Sequence, residues 1–494
     1  MVVQNIVFPD EICTNPEIYF RSKEMSIGQN FAVLEEGGWM STDTYMNIMD
    51  LKNLHTHTEI DKLILEIGFE GKGILDIMEN KNGKDKVLAT YLLSEEKKTY
   101  LKICIPYKKM DGGCYWKLYA ERRSIFWSGK YIAEIQHTNL VKLALNICTF
   151  HREKQLQKNL DRLRKSEFFD KNSELYDALH VFVVDNGNSF TARESLSNIS
   201  IYRNSNKCGG SGGFKRGLEE ICDLNRKAEY THVIFMDDDV DFQIESFYRI
   251  FAFLSCLKKE ITSSISIAGR MFRTDDRKIQ FTSVEKWNKG NIIHIDGNLD
   301  MTIRENAVKC ETMEGDYGGW WFCVYPIQFV RANRPLPFFL HCDDVEYGLR
   351  FPGKTIVLKG VQVWHETYEY RIAPAIVYYD TRNALIVNVL YGNIKNSEQI
   401  LGDWEQKLTG YHLQGEQQLK FACTLGMFHF LKGCRCLKQG GKIPWTDQKL
   451  IKYKTFLRVL NPLFHRYVRR KAKKGYKKVI LDYLRWEGYY VSIS

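Results

Sequence analysis

The chain has 494 residues, 44% of them apolar and 26% charged, with a net charge of +10, an ordinary globular composition that at about 150 residues per domain holds two to four domains. No run of about 18 apolar residues occurs, which excludes a membrane-spanning helix, and with only 10 prolines and no Gly/Ser-rich linker the domains are expected to pack together rather than hang on tethers. The 13 cysteines are odd in number and irregularly spaced, and Cys434 and Cys436 stand too close for a zinc knuckle, so reduced thiols are expected. Met1-Val-Val-Gln-Asn lacks the charged-then-apolar plan of a signal peptide, and the expected location is cytoplasmic.

Residues 1–136 are β-rich. Short apolar runs recur at Lys62-Leu-Ile-Leu-Glu-Ile-Gly-Phe, Val87-Leu-Ala-Thr-Tyr-Leu-Leu, Tyr100-Leu-Lys-Ile-Cys-Ile and Trp116-Lys-Leu-Tyr-Ala. Polar clusters such as Glu79-Asn-Lys-Asn-Gly-Lys separate them, and the spacing predicts an N-terminal β-sandwich. Alternation would place His55 and His57 on one strand face.

Across 137–390 the pattern becomes α/β. Apolar runs end in Thr149, Asp185 and Asp237 and alternate with helical segments at 152–165 and around 213–227. Such alternation predicts a parallel sheet with helices on its faces. Ligands of these sheets bind beyond the carboxyl ends of the strands, so those three residues should converge on one crevice. Residues 391–494 read as a helical region, with a Gly-rich break at Lys438-Gln-Gly-Gly-Lys. Near its end lie Arg466, Arg469, Arg470, Lys471, Lys473, Lys474, Lys477 and Lys478, with no acid among them. That run reads either as a solvated helix or as a patch for anionic lipid head groups. Nucleic acid is not an expected partner, because the aromatics form no stacking motif.

Five motifs carry chemistry. In Phe235-Met-Asp-Asp-Asp-Val240 an apolar strand runs into three carboxylates, whose mutual repulsion a hard divalent cation would relieve. Asp237 and Asp239 fall on one side of an extended chain and can share the ion, while Asp238 points elsewhere. Alone, this motif would also suit a phosphatase or nuclease. Next, Gly209, Gly210, Ser211, Gly212 and Gly213 precede a helix whose amides can cradle phosphate or sugar hydroxyls; the order is neither a P-loop nor a strict dinucleotide fingerprint. Asp343 and Asp344 open a predicted helix, whose dipole favours ionised carboxylates, as a general base needs. Glu346 and Arg350 are spaced to pair on that helix. His365 ends an apolar strand and is a candidate third metal ligand. Trp320 and Trp321, after two glycines, suit a platform for sugar faces.

In their order along the chain, Gly209-Gly-Ser-Gly-Gly-Phe, Met236-Asp-Asp-Asp, Trp320-Trp321, Asp343-Asp-Val-Glu-Tyr-Gly-Leu-Arg and Trp364-His365 resemble the bacterial UDP-galactofuranose-dependent galactofuranosyltransferases, most sharply over 145–370. The resemblance implies a GT-A (Rossmann-like) core at 137–390, between an N-terminal β-sandwich at 1–136 and a C-terminal helical domain at 391–494. It implies an inverting transfer of galactofuranose from UDP-galactofuranose to a glycan hydroxyl, the glycan carried on a polyprenyl diphosphate at the cytoplasmic face of the membrane. By the same resemblance, Asp237, Asp239 and His365 hold Mn²⁺ or Mg²⁺, Asp344 is the base, and Asp343 beside it binds acceptor. Thr149, Arg152, Asp185, Asn204, the Gly209–Gly213 loop and Asp238 line the nucleotide-sugar site, and Trp320, Trp321 and Glu346 contact sugar or acceptor. His151 stands where the family pattern has Asn. A homo-oligomer is left open. Two other functions fit the motifs less fully: a GT-A transferase of rhamnose or a pyranose sugar, and a non-catalytic glycan-binding scaffold.

Overall fold

A computed structural model of the chain describes residues 1–190, 198–204, 208–310, 313–367, 373–413, 416–437 and 454–491. The break at Lys438-Gln-Gly-Gly-Lys lies outside the described residues. The architecture is mixed α/β, built on two large sheets.

The N-terminal strands form one eight-stranded antiparallel sheet. The runs from Val87 and from Tyr100 are one strand, Lys84–Ile105, hairpin-paired to Lys62–Lys81. Asn82 and Gly83 join them with positive φ at both positions, the turn that matches the twist of paired strands. Bulges at Phe69/Gly71 and Ile77/Met78 bend the long strand. Its first half therefore pairs with Ser124–Glu134 and its second with Gly113–Ala120. Both of those strands also pair with Ala32–Ser41, so the sheet folds over and meets itself around a shared apolar core.

His55 and His57 do not sit on a strand. The Asp50 side chain accepts from Asn53 N at 3.2 Å and caps the helix Leu51–His57, overriding the apparent alternation. His57 is buried, and His55 stacks on Tyr107 at 4.1 Å.

In the central sheet Ile199–Arg203, Leu179–Asp185, Leu143–Thr149 and His232–Asp237 are adjacent and parallel. Phe322–Pro326 then enters antiparallel, followed by Ile265–Arg273, which pairs in parallel with Lys354–His365. The register decides the site. Asp185 lies opposite Thr149 and Asp237 opposite Cys148, so the polar strand ends share one edge.

The N-terminal sheet is fixed to this core by buried polar contacts. Glu245 accepts from Asn5 N and Asn5 Nδ2, both at 2.8 Å, and Arg249 donates to Met46 O at 2.8 Å. On the other side Pro374–Leu390, Gln417–Phe430 and the long helix Lys454–Val491 share an apolar cluster with Phe338, Phe339, Cys342 and Val345. Among the described residues no helix is long and apolar enough to cross a membrane.

Candidate active site

Asp237 closes the strand His232–Asp237, and Asp239 follows in the turn. His365 is the last residue of Lys354–His365, whose partner Asp241–Phe242 continues directly from that turn. The antiparallel pairing thus returns His365 to the carboxylates. His365 Nε2 lies 3.2 Å from Asp239 Oδ1 and 3.8 Å from Asp237 Oδ2. One donor atom from each of the three residues falls within 4.8 Å of the others, a spread that one divalent cation with oxygen and imidazole ligands can span.

Asp238 turns the other way, as alternation requires. It is buried, accepts from Thr149 Oγ1 at 2.6 Å, and pairs with Arg152 Nη1 at 2.8 Å. Arg152 Nη2 also reaches Asp239 Oδ2 at 3.1 Å, so one half-exposed guanidinium offsets part of the triplet's charge. Burial, with Asp239 and Asp238 nearby, pushes Asp237 up to about 7 although His365 and Arg152 oppose the rise.

The second carboxylate pair opens the helix Asp343–Arg350. Ser211 Oγ donates to Asp343 Oδ2 at 2.7 Å. Asp344 is only partly buried, and its Oδ1 accepts from Val345 N at 2.8 Å. Desolvation and the neighbouring Asp343 charge raise Asp344 to about 8. Three non-glycine residues before this helix, Phe339, His341 and Cys342, have positive φ, a conformation that costs about 1–3 kcal/mol per residue and persists only where surroundings enforce it.

The two clusters are connected. Asn186 Nδ2 donates to Gly209 O at 2.9 Å and to Cys148 Sγ at 3.1 Å. Asn204 Nδ2 donates to Asn186 Oδ1 at 2.7 Å. Burial and the Asp238, Asp237 and Asp343 carboxylates push the Cys148 thiol well up.

No family model matches the chain. In sequence it is similar to the galactofuranosyltransferase GlfT2 of Mycobacterium tuberculosis, 23% identical over 389 residues that cover 71% of this chain and 58% of that protein. It is also similar to GlfT2 of Mycolicibacterium smegmatis, 26% identical over 310 residues covering 57% and 46%. Both proteins that the chain resembles are galactofuranosyltransferases. The chain spans about half the length of the curated relatives it matches. Among solved structures, A197 from STIV aligns with 14% identity and a TM-score of 0.27 over 46% of this chain and 86% of that one, too low a score to carry any argument.

Several of the expected residues are engaged within the fold. The glycines do not form a loop before the helix; they are its first turns, since the helix runs Gly209–Ala228. A Cβ at Gly209 would lie 2.0 Å from Phe339 O, and one at Gly213 would lie 2.1 Å from Cys148 Sγ. The glycines therefore let the helix seat against both halves of the site. Trp320 and Trp321 are 4% and 7% exposed. Trp320 packs among Phe214, Phe235 and Tyr347, and Trp321 Nε1 donates to Gly269 O at 3.1 Å, so neither offers a free ring face for sugar. Glu346 is buried, paired with Arg350, and accepts from Tyr391 OH. Asp185 is fully buried and accepts from the backbone N–H groups of Gly187, Ser189 and Phe190, each at 2.8 Å; these bonds shape the turn that follows its strand. Asn186 and Cys148 were not singled out from sequence. Their only signal was position, one residue past and one residue before a strand-end residue that was.

Proposed function

We propose that this chain is a divalent-cation-dependent, inverting glycosyltransferase of the GT-A kind that moves galactofuranose from UDP-galactofuranose to a glycan hydroxyl. The observation that carries this is the convergence of Asp237, Asp239 and His365 at the carboxyl edge of parallel strands, in a chain similar to two galactofuranosyltransferases. Those three residues would hold Mn²⁺ or Mg²⁺, with Arg152 beside them. The ion, when bound, neutralises the diphosphate leaving group, so no proton is needed for its departure. Arg152 is half exposed and can exchange its carboxylate partners for phosphate oxygens. Asp344 takes the proton from the attacking acceptor hydroxyl, and burial beside Asp343 raises its affinity for that proton. Asp343, fixed by Ser211, holds the acceptor side of the crevice.

The acceptor glycan would reside at an anionic membrane surface. The long terminal helix supports this: Leu463, Tyr467, Leu481 and Leu484 are exposed and lie at helical spacing on one face with Arg470, Lys474 and Lys477. Arg469 instead pairs with Glu405 at 3.1 Å.

The deciding experiment compares UDP release from UDP-galactofuranose and UDP-galactopyranose, with and without Mn²⁺. Release that is metal-dependent and specific to the furanose is expected. Equal use of both donors would leave a transferase of a different sugar, and no release from either would leave a glycan-binding protein.

A further inference from the structure

Just before the helix Asp343–Arg350 the backbone passes through Phe339 at φ 74°, His341 at 62° and Cys342 at 62°. None is glycine, so the segment 338–342 would relax unless its neighbours held it. Most of the holding contacts come from the helix Pro374–Leu390. Arg382 Nη2 donates to Phe338 O at 2.6 Å, and Asn383 Nδ2 donates to Leu340 O at 2.7 Å and His341 O at 2.8 Å. Both side chains are fully buried. One turn earlier, Asp380 Oδ1 lies 3.0 Å from His341 Nδ1. From the opposite side the backbone at Gly209 closes on Phe339 O. The segment is therefore gripped between two helices, and it leads straight into Asp343 and Asp344.

Resting on the transferase function above, we propose that Asp380, Arg382 and Asn383 are positioning residues: Arg382 and Asn383 fix the left-handed segment that aims Asp344, and Asp380 keeps His341 a cation beside the Asp343–Asp344 pair. Carbonyl oxygens caught by a buried arginine and a buried amide cannot rotate without leaving those donors unsatisfied. Burial disfavours a charged imidazole, but Asp380, with Asp343 and Asp344, outweighs it and raises His341 to about 9. The charged groups facing this cluster are Asp380 on Pro374–Leu390, Lys407 on Ser397–Leu413, Asp343 and Asp344 on their own helix, and Glu285 on Val284–Asn288. A cation at His341 favours the carboxylate form of Asp344, the form that accepts a proton.

The test uses the full chain with Asp380→Asn, Asp380→Glu, Asn383→Ala and His341→Gln. Three quantities are read: Mn²⁺-dependent UDP affinity, the pH profile of kcat/KM, and the His341 imidazole titration by NMR, assigned by its loss in His341→Gln. Asp380→Asn should keep UDP affinity within about twofold, lower the His341 titration by more than about one pH unit, and move the acidic limb of kcat/KM to higher pH. Asp380→Glu should restore both. Asn383→Ala should lower kcat at least about tenfold at unchanged UDP affinity, because the base is misaimed. The proposal is overturned if His341 titrates alike in parent and Asp380→Asn, if that titration moves while the limb does not, or if Asn383→Ala turns over like the parent. It is also overturned if UDP affinity collapses along with turnover, since the helix then merely supports the fold. Should Asp380→Asn fail to fold, His341→Gln removes the cation from the other side and must displace the limb. A parent that transfers no sugar would sink the transferase function alone, and the His341 titration would still decide the pairing.

Discussion

Two clusters of adjacent aspartates are linked through Cys148, Asn186 and the first turn of the Gly209–Ala228 helix, and their surroundings separate them. Asp237 and Asp239 stand at a regular strand end, next to His365 and the half-exposed Arg152. Asp343 and Asp344 follow a left-handed segment that contains His341, itself 3.0 Å from Asp380. The first cluster brings one donor atom from each of Asp237, Asp239 and His365 within 4.8 Å of the others, the geometry on which the proposed cation site rests. The second holds Asp343 by Ser211 and leaves Asp344 partly open, the geometry on which the proposed base rests. Sequence proximity of like charges is thus an unspecific signal; the neighbouring counter-charges set how each pair titrates.

The contrast is broken most directly at Asp344. Asp344→Asn keeps shape and removes basicity, so turnover should fall at least about 10²-fold while Mn²⁺-dependent UDP binding persists; near-normal transfer would refute the base assignment. Asp237→Ala and Asp239→Ala should do the reverse, abolishing the effect of EDTA on UDP affinity in calorimetry with the far-UV circular dichroism unchanged.

The pH response should divide the clusters as well. Asp237, raised to about 7, and Asp344, raised to about 8, both bind protons in the folded state at pH values where the unfolded chain has lost them. The metal-free protein therefore loses stability as pH rises from about 4 through 8. A divalent ion held at the proposed site would bind the ionised form of Asp237 and cancel that cluster's share. Thermal melts should show a larger Mn²⁺-induced rise in Tm at about pH 8 than at about pH 5.5, and Asp344→Asn should leave that difference intact. An equal rise at both pH values would place the ion elsewhere.

The smallest expected effect is at the surface. Replacing Arg470, Lys473, Lys474 and Lys477 with Gln should reduce sedimentation with anionic liposomes at low salt and leave turnover on a short soluble acceptor unchanged. Exposed charges act only within a Debye length of about 8 Å at physiological salt, so the parent should also release at about 0.5 M salt. Equal sedimentation of variant and parent would make the run a solvated helix face.

Much of the central sheet was legible because its signals are local. Apolar runs ending in Thr149, Asp185 and Asp237 gave the strands, and parallel register then brought those ends to one edge. Alternation alone separated Asp238 from Asp237 and Asp239. It failed at His55 and His57, where the Asp50 cap and the helix it starts override a period of two.

The amino-acid sequence by itself determined the strand ends, the carboxylate pairs and the helix that Asp343 begins, since each depends on neighbours a few residues away. Tertiary structure alone decided that Trp320 and Trp321 are core and that Asp185 is spent on a turn. It alone decided that the glycines are a packing surface against Cys148 and Phe339, and that Arg382 and Asn383 hold the segment before Asp343. Burial and hydrogen-bond partnership at these positions arise between segments far apart in the chain, and no local pattern encodes which distant atom will fill a given contact.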